Sequence, residues 1–195
     1  MAEMQSTQSV LIVSSTQKSA GIIANLLNPS LCYPIHLEKT GSGTRQRMQT
    51  RRYDLIIVNT PLSDEFGHEL AVDLARLTTS GVVLLAKSDI YDEMCDRVSD
   101  EGVVTVMKPL SGQLFSQAVR MSLAGSMRLQ NMERETQNLK KKLEELKLVD
   151  RAKCLLVEYQ HMNEAEAHRY IEKQAMDQRK NRKEIARQVI QLYEG

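Results

Sequence analysis

Four short runs that are apolar but for Thr105, Val10–Val13, Leu55–Val58, Val82–Leu85 and Val103–Met107, punctuate the N-terminal part of this 195-residue chain. Stretches of helical periodicity separate them, over Ala20–Leu27, His68–Leu77 and Asp92–Val98. A strand that is apolar at every position has no side to offer to water, so both of its faces must be covered. Strands of that kind alternating with helices are accommodated by a parallel sheet with helices on either side. The pattern therefore predicts a doubly wound α/β domain over residues 9–125.

Past that domain, Ser111 is placed to cap a helix, and no proline follows it before the end of the chain. Leu129, Met132, Thr136, Leu139, Leu143 and Leu146 occupy the a and d positions of a heptad repeat, with Glu135 at g and Lys140 at the following e. A narrow apolar seam flanked by opposite charges suits a partner helix better than the side of a domain, and an identical chain is the simplest partner. The reading is a coiled coil over 126–148 that makes a homodimer, with Leu129, Met132, Leu139, Leu143 and Leu146 at the contact.

Residues 149–195 read as three short helices. Two of them open on matching start signals, Asn163-Glu164-Ala165-Glu166 and Asn181-Arg182-Lys183-Glu184. In such a capping box the Asn side chain accepts from an orphan first-turn N–H while the Glu three residues on reaches back to the Asn N–H. Ala152, Leu155, Leu156, Tyr159, Ala167, Tyr170, Ile171, Ala175, Ile185, Ala186 and Val189 recur at spacings of three and four, which is what a small bundle needs to bury one face per helix. The segment is nearly balanced in charge. Yet Arg179, Lys180, Arg182, Lys183 and Arg187 crowd into nine positions with Glu184 as the one acid among them. Cations at that density would neutralise several phosphates if they shared a face, although an ordinary solvated face can look the same.

Residue identities go further than periodicity. The strings Asp150-Arg151-Ala152-Lys153, Asn163-Glu164-Ala165-Glu166-Ala167-His168, Gln174-Ala175-Met176-Asp177-Gln178-Arg179 and Glu184-Ile185-Ala186 together resemble the ANTAR domain of the AmiR and NasR transcription antitermination regulators. Cys154 departs from it, since many members carry Gly there. Tyr53-Asp54-Leu55-Ile56-Ile57-Val58-Asn59-Thr60-Pro61-Leu62-Ser63-Asp64-Glu65-Phe66-Gly67 resembles the third strand and following loop of response-regulator receiver domains, and Lys108-Pro109 resembles the signature that ends their fifth strand. The resemblances imply a flavodoxin-like receiver sheet, a connecting coiled-coil helix and a three-helix ANTAR bundle that binds hairpins in nascent transcripts. The RNA-backbone candidates are then Lys153, Lys173, Arg179, Lys180, Arg182, Lys183 and Arg187. Tyr159, Tyr170 and Tyr193 could stack on bases, though tyrosines at helical spacing more often pack in a core.

The receiver resemblance fails where receivers do chemistry. Such domains need an Asp nucleophile at the end of the third strand, an acidic pair after the first to hold Mg²⁺, and a Thr or Ser after the fourth. Those places hold Asn59, Ser14 with Ser15, and Ala86, and Lys108 alone is retained. An amide is a poor nucleophile, and hydroxyls without carboxylates bind a hard dication weakly. The expectation is a pseudo-receiver that is not phosphorylated. It is kept either to bind a regulatory protein or small ligand at the carboxyl ends of its strands, or simply as a dimerisation module.

Composition bounds the alternatives. No apolar run approaches the roughly 20 residues of a membrane span, and the polar start Met1–Gln8 lacks a signal-peptide pattern, so a cytoplasmic protein is expected. Cys32, Cys95 and Cys154 are odd in number and widely spaced, and His36, His68, His161 and His168 show no metal-ligand spacing. No metal or cofactor is expected, and the lack of a phosphate loop or of a nucleophile–base pair argues against an enzyme. The rival readings are a DNA-binding transcription factor, because receivers are often joined to helix-turn-helix domains, and a coiled-coil interaction protein that binds no nucleic acid.

Overall fold

The computed structural model describes residues 7–194. Met1–Ser6, within the polar start, and Gly195, the last residue of the expected C-terminal domain, lie outside the described residues. The chain divides into two compact units, Met1–Asn131 and Met132–Gly195.

In the first unit, five parallel strands, β1 (Gln8–Ser14), β2 (Cys32–Glu38), β3 (Leu55–Asn59), β4 (Gly81–Lys87) and β5 (Val104–Lys108), form one sheet in the order β2-β1-β3-β4-β5. This is the flavodoxin-like order, and it places the topological switch between β1 and β3. Strand alternation splits the apolar runs cleanly between two cores. Val10, Ile12, Leu55, Ile57, Val83 and Leu85 pack beneath Ala20, Ile23, Phe115, Val119 and Leu123 of helices α1 (Gln17–Leu26) and α5 (Gly112–Gln160). Leu11, Val13, Ile56, Val58, Val82 and Leu84 pack on the other face against Leu70, Ala71, Leu74, Met94 and Val98 of helices α3 (His68–Leu77) and α4 (Tyr91–Val98). Close approach of α5 to the sheet depends on Gly81, where a Cβ would stand 2.5 Å from the Ser122 carbonyl oxygen.

Two elements of this unit escape a search for apolar runs. Strand β2, Cys-Tyr-Pro-Ile-His-Leu-Glu, lies at the edge of the sheet and pairs with β1 alone, so most of it is only partly buried and its composition is mixed. Helix α2 (Gly41–Met48), Gly-Ser-Gly-Thr-Arg-Gln-Arg-Met, has no apolar stripe. Its start is held by polar groups: Thr40 accepts from the Gly43 N–H, and the Asp64 carboxylate accepts from the N–H groups of Gly41 and Ser42 at 2.9 and 3.0 Å. Those bonds to the anion hold the Asp64 carboxyl down at about 2.

The second unit contains the C-terminal part of α5 together with α6 (Glu164–Asp177) and α7 (Arg182–Glu194). Its core gathers Val149, Ala152, Leu155, Leu156, Ala167, Ile171, Ala175, Ile185, Ala186 and Val189. Ala152, Ala167 and Ala186 are wholly buried, so the helices meet over methyl groups. Both capping boxes form. The Asn163 side chain accepts from the Glu166 N–H at 2.9 Å while Glu166 accepts from the Asn163 N–H at 2.8 Å, and the Asn181–Glu184 pair does the same at 2.8 and 3.1 Å. Tyr159 and Tyr170, counted among the core positions on spacing, are instead 52% and 38% exposed. Both lie at the edge of their helix's buried stripe, where spacing alone does not separate core from rim. Among the described residues no helix is long and apolar enough to cross a membrane.

Candidate functional site

Polar residues collect at the carboxyl ends of β1, β3 and β5, where the sheet's order reverses. Ser14 and Asn59 are register partners on β1 and β3. The Asn59 amide donates to Ser14 Oγ at 2.9 Å, and Lys108 Nζ donates to Asn59 Oδ1 at 3.0 Å and to the Thr60 carbonyl at 2.5 Å. Thr60 Oγ1 is turned inward to the Leu85 carbonyl at 2.8 Å, and Ser15 Oγ donates to the Pro61 carbonyl at 3.3 Å. Ala86 is fully buried and brings no polar group. The structure thus brings Ser14, Asn59 and Lys108 into one hydrogen-bonded chain with Ser15 beside it. Every acceptor in that chain is neutral. Burial and the neighbouring Lys87 lower the Lys108 pKa, the first being the larger influence.

The acidic residues of the loop after β3 are engaged elsewhere. Asp64 caps α2, and Glu65 forms an ion pair with Arg45 at 2.5 Å. Neither functions as a counter-ion to Lys108 here.

The basic residues of the second unit divide into two groups. Lys153 sits between Asp150 and Glu164 at 2.9 and 3.2 Å, with its side chain only 16% exposed. Its pKa is raised by those two acids, Asp150 first. Arg182 lies 3.7 Å from both Glu145 and Glu172, and Lys183 lies 3.5 Å from Glu144. By contrast Lys173, Arg179, Lys180 and Arg187 are exposed, and none has an ion pair among the described residues. Arg179 adopts a left-handed backbone (φ 53°) after α6, and the Lys180 N–H returns to the Ala175 carbonyl. That pairing closes the helix and turns the chain sharply into α7. The positively charged side chains of Arg179 and Lys180 are therefore carried on a short, exposed connection next to the amino end of α7.

The tyrosines are placed differently. Tyr159 and Tyr193 stack on one another, with ring centroids 5.0 Å apart and planes 10° apart, and Tyr193 Oη accepts from the Gln160 amide. Tyr193 belongs to the last turn of α7 while Arg182 opens that helix, a separation of roughly 16 Å along the axis at about 1.5 Å per residue. The stacked pair and the basic turn thus occupy opposite ends of α7. The heptad residues Leu129, Met132, Leu139, Leu143 and Leu146 are 50% to 64% exposed in the single chain. The bundle core has no use for them.

Sequence reasoning missed the partners that hold these side chains. Glu144, Glu145 and Glu172 were not distinguishable from solvated acids, because their pairing with Arg182 and Lys183 joins positions far apart in the chain. The Asp64–α2 contact was hidden for the same reason.

Comparison with known proteins supports both halves of the chain. Residues 137–190 match the ANTAR domain family. Over 152 residues the chain is 29% identical to the transcriptional regulatory protein PdtaR of Mycobacterium tuberculosis (strain CDC 1551 / Oshkosh), covering 77% of this chain and 74% of that protein. Among solved structures, the receiver domain of an HD domain-containing protein from Pseudomonas fluorescens Pf-5 matches with a TM-score of 0.58 at 21% identity, over 67% of this chain and 97% of that one. A CheY-like receiver domain protein from Methanospirillum hungatei JF-1 matches with a TM-score of 0.54 at 16% identity, over 63% and 98%. At such identities these two structures show the fold alone. The chain is thus similar to ANTAR-domain response regulators: residues 137–190 match the ANTAR domain, and a sheet with the receiver fold precedes it.

Proposed function

We propose that this protein binds hairpins in nascent leader transcripts through its ANTAR domain, acts as a coiled-coil dimer, and carries a receiver-like unit that works without phosphorylation. The observation that carries the RNA reading is the exposed turn at Arg179–Lys180 with Arg187 on the following helix, all free of carboxylate partners among the described residues. Cations in that state meet phosphate without first leaving another anion. Arg182 and Lys183 join them at little cost, because exposed ion pairs at 3.5 to 3.7 Å contribute only about 0–1 kcal/mol. Lys173 is exposed on α6 and remains a candidate. Lys153 is enclosed between two acids and contributes least. Base recognition in RNA requires unpaired bases, with basic side chains fixing the backbone around them.

The dimer reading is supported by an apolar seam left open to water between charged flanks. The phosphorylation-independent reading is supported by an amide at the nucleophile position, already committed to Ser14 and Lys108.

The test is a binding titration of the full chain against hairpin RNA and duplex DNA over a range of salt. Binding favours the hairpin, and replacing Arg179, Lys180, Arg182 and Lys183 with Ala weakens it and flattens its salt dependence by about 0.7 to 0.9 in slope for each phosphate no longer neutralised. Equal or preferred binding to duplex DNA would support the transcription-factor reading instead. A folded quadruple variant with wild-type affinity and slope would remove this turn from the interface.

A further inference from the structure

The polar end of the receiver-like sheet has reversed its electrostatic sense. Lys108 is half-buried, and its ammonium donates to an amide oxygen and a backbone carbonyl, both neutral. No carboxylate pairs with it among the described residues. A desolvated cation without a counter-ion is unfavourable, and the nearest way to relieve it is an anion from solution. Lys87 adds to the imbalance, being the register partner of Lys108 on β4 and exposed. The loop acids that could have compensated, Asp64 and Glu65, are held by α2 and Arg45. Two bonds leave the ammonium one donor to spare. The place matters too: Ser14 and Asn59 sit where β1 and β3 diverge, the crevice in which a sheet of this order accepts ligands.

We propose that this crevice is a non-covalent anion site, in which Lys108 and Lys87, with the Ser15 hydroxyl on the rim, hold the phosphate of free inorganic phosphate or of a small phosphomonoester. Asn59 and Ser14 serve as positioning residues: the amide fixes the ammonium from one side and is itself fixed by the hydroxyl. The anion supplies the negative charge that this crevice lacks, and no bond to the protein is made or broken. This gives the receiver-like unit an input that depends on ligand concentration. It rests on the reading that the unit has lost phosphoryl transfer.

The full-length ¹⁵N-labelled protein is titrated with inorganic phosphate and, separately, with glycerol 3-phosphate, each against sodium chloride at matched ionic strength. The expected result is a saturable shift of the Asn59 side-chain amide and of the Ser15 and Lys87 backbone amides with at least one of the two, and the one that saturates identifies the source. Two variants test the cause. Lys108→Gln removes the cation, and the near-isosteric Asn59→Asp restores an internal counter-ion about 3 Å from it; each weakens half-saturation by more than about tenfold. Shifts that match chloride with both ligands, or half-saturation unchanged in either folded variant, overturn the proposal. A stable phosphoryl mass increase of the intact chain after acetyl phosphate and Mg²⁺ would defeat the underlying reading itself, whereas an unlabelled chain with no saturable shift defeats the anion site alone.

Discussion

The sheet unit and the helical unit put their interiors to different ends. In the first, strands such as Leu55–Val58 are buried on both faces, and helices cover each side with large residues such as Phe115, Leu70 and Leu74. That leaves a rigid platform whose polar crevice is built from a few strand-end residues, so replacing single side chains, an amide for a carboxylate or an alanine for a hydroxyl, is enough to change its chemistry. In the second unit the helices close over Ala152, Ala167 and Ala186, and the larger buried residues are few: Val149, Leu155, Leu156, Ile171, Ile185 and Val189. Its candidate interface is a spread of charges on a turn. Under the proposed readings, single residues decide the chemistry of the sheet unit, whereas the helical unit should lose function in increments but lose its fold readily.

The largest effect bearing on this contrast belongs to the heptad seam. Burial of each Leu is worth about 1.5–3 kcal/mol, so replacing Leu139, Leu143 and Leu146 together with Glu should dissociate the proposed dimer, as sedimentation velocity would read. A variant that still sediments as a dimer would move the interface to another surface and leave the seam unexplained. Next comes Ile171→Ala, expected to cost about 2–5 kcal/mol. In so small a core that should melt the helical unit while the sheet unit persists, and calorimetry should show one transition falling well below the other. The same truncation at Ile57, equally buried, should lower only the sheet transition. If both transitions move together in either variant, the units do not fold independently and the contrast fails.

Smaller effects sharpen the contrast. Asn163→Ala should cost the helical unit about 0.5–2 kcal/mol by opening its capping box, with no change in the sheet unit. A loss below a few tenths would mean that the exposed cap is replaced by water. The smallest prediction concerns Asp64, whose carboxyl is held at about 2 by the α2 N–H groups against an ordinary 3.8. Because its pKa in the folded protein is depressed, the stabilisation is fully present above the ordinary value and is lost as pH falls through about 2. Asp64→Asn should therefore be slightly less stable than wild type at neutral pH, with the difference shrinking below the ordinary value and vanishing only once pH is well under that of the folded protein. A difference that persists there would assign it to hydrogen bonding and not to charge.

The sequence by itself determined what depends on near neighbours in the chain. Continuous apolar runs announced β1, β3 and β4 because a strand buried on both faces admits no polar residue. By contrast β5, which the same reading expected to be buried on both faces, lies at the sheet edge, is only partly buried and includes Thr105. The boxes at Asn163 and Asn181 were readable because cap and partner lie three residues apart. The start of α5 was readable from Ser111 and the lack of any later proline, although the first C-terminal helix, expected as a separate short one, is continuous with α5. The identity of residues such as Asn59, where receivers carry Asp, was equally plain.

What only the tertiary structure decided depends on distant pairings. Edge strand β2 and the polar helix α2 acquire their form from β1 and from Asp64, so their own residues carry little signal. Spacing put Tyr159 among the core residues, but it lies at the rim and stacks on Tyr193, far along the chain. Counting charges made Lys153 and Lys180 equivalent, whereas the fold sets one between two acids and leaves the other in water. The physical reason is the same in each case. Hydrophobic periodicity is summed along one element and survives in sequence, while the free energy of a charge depends on which groups the fold brings within a few ångströms of it.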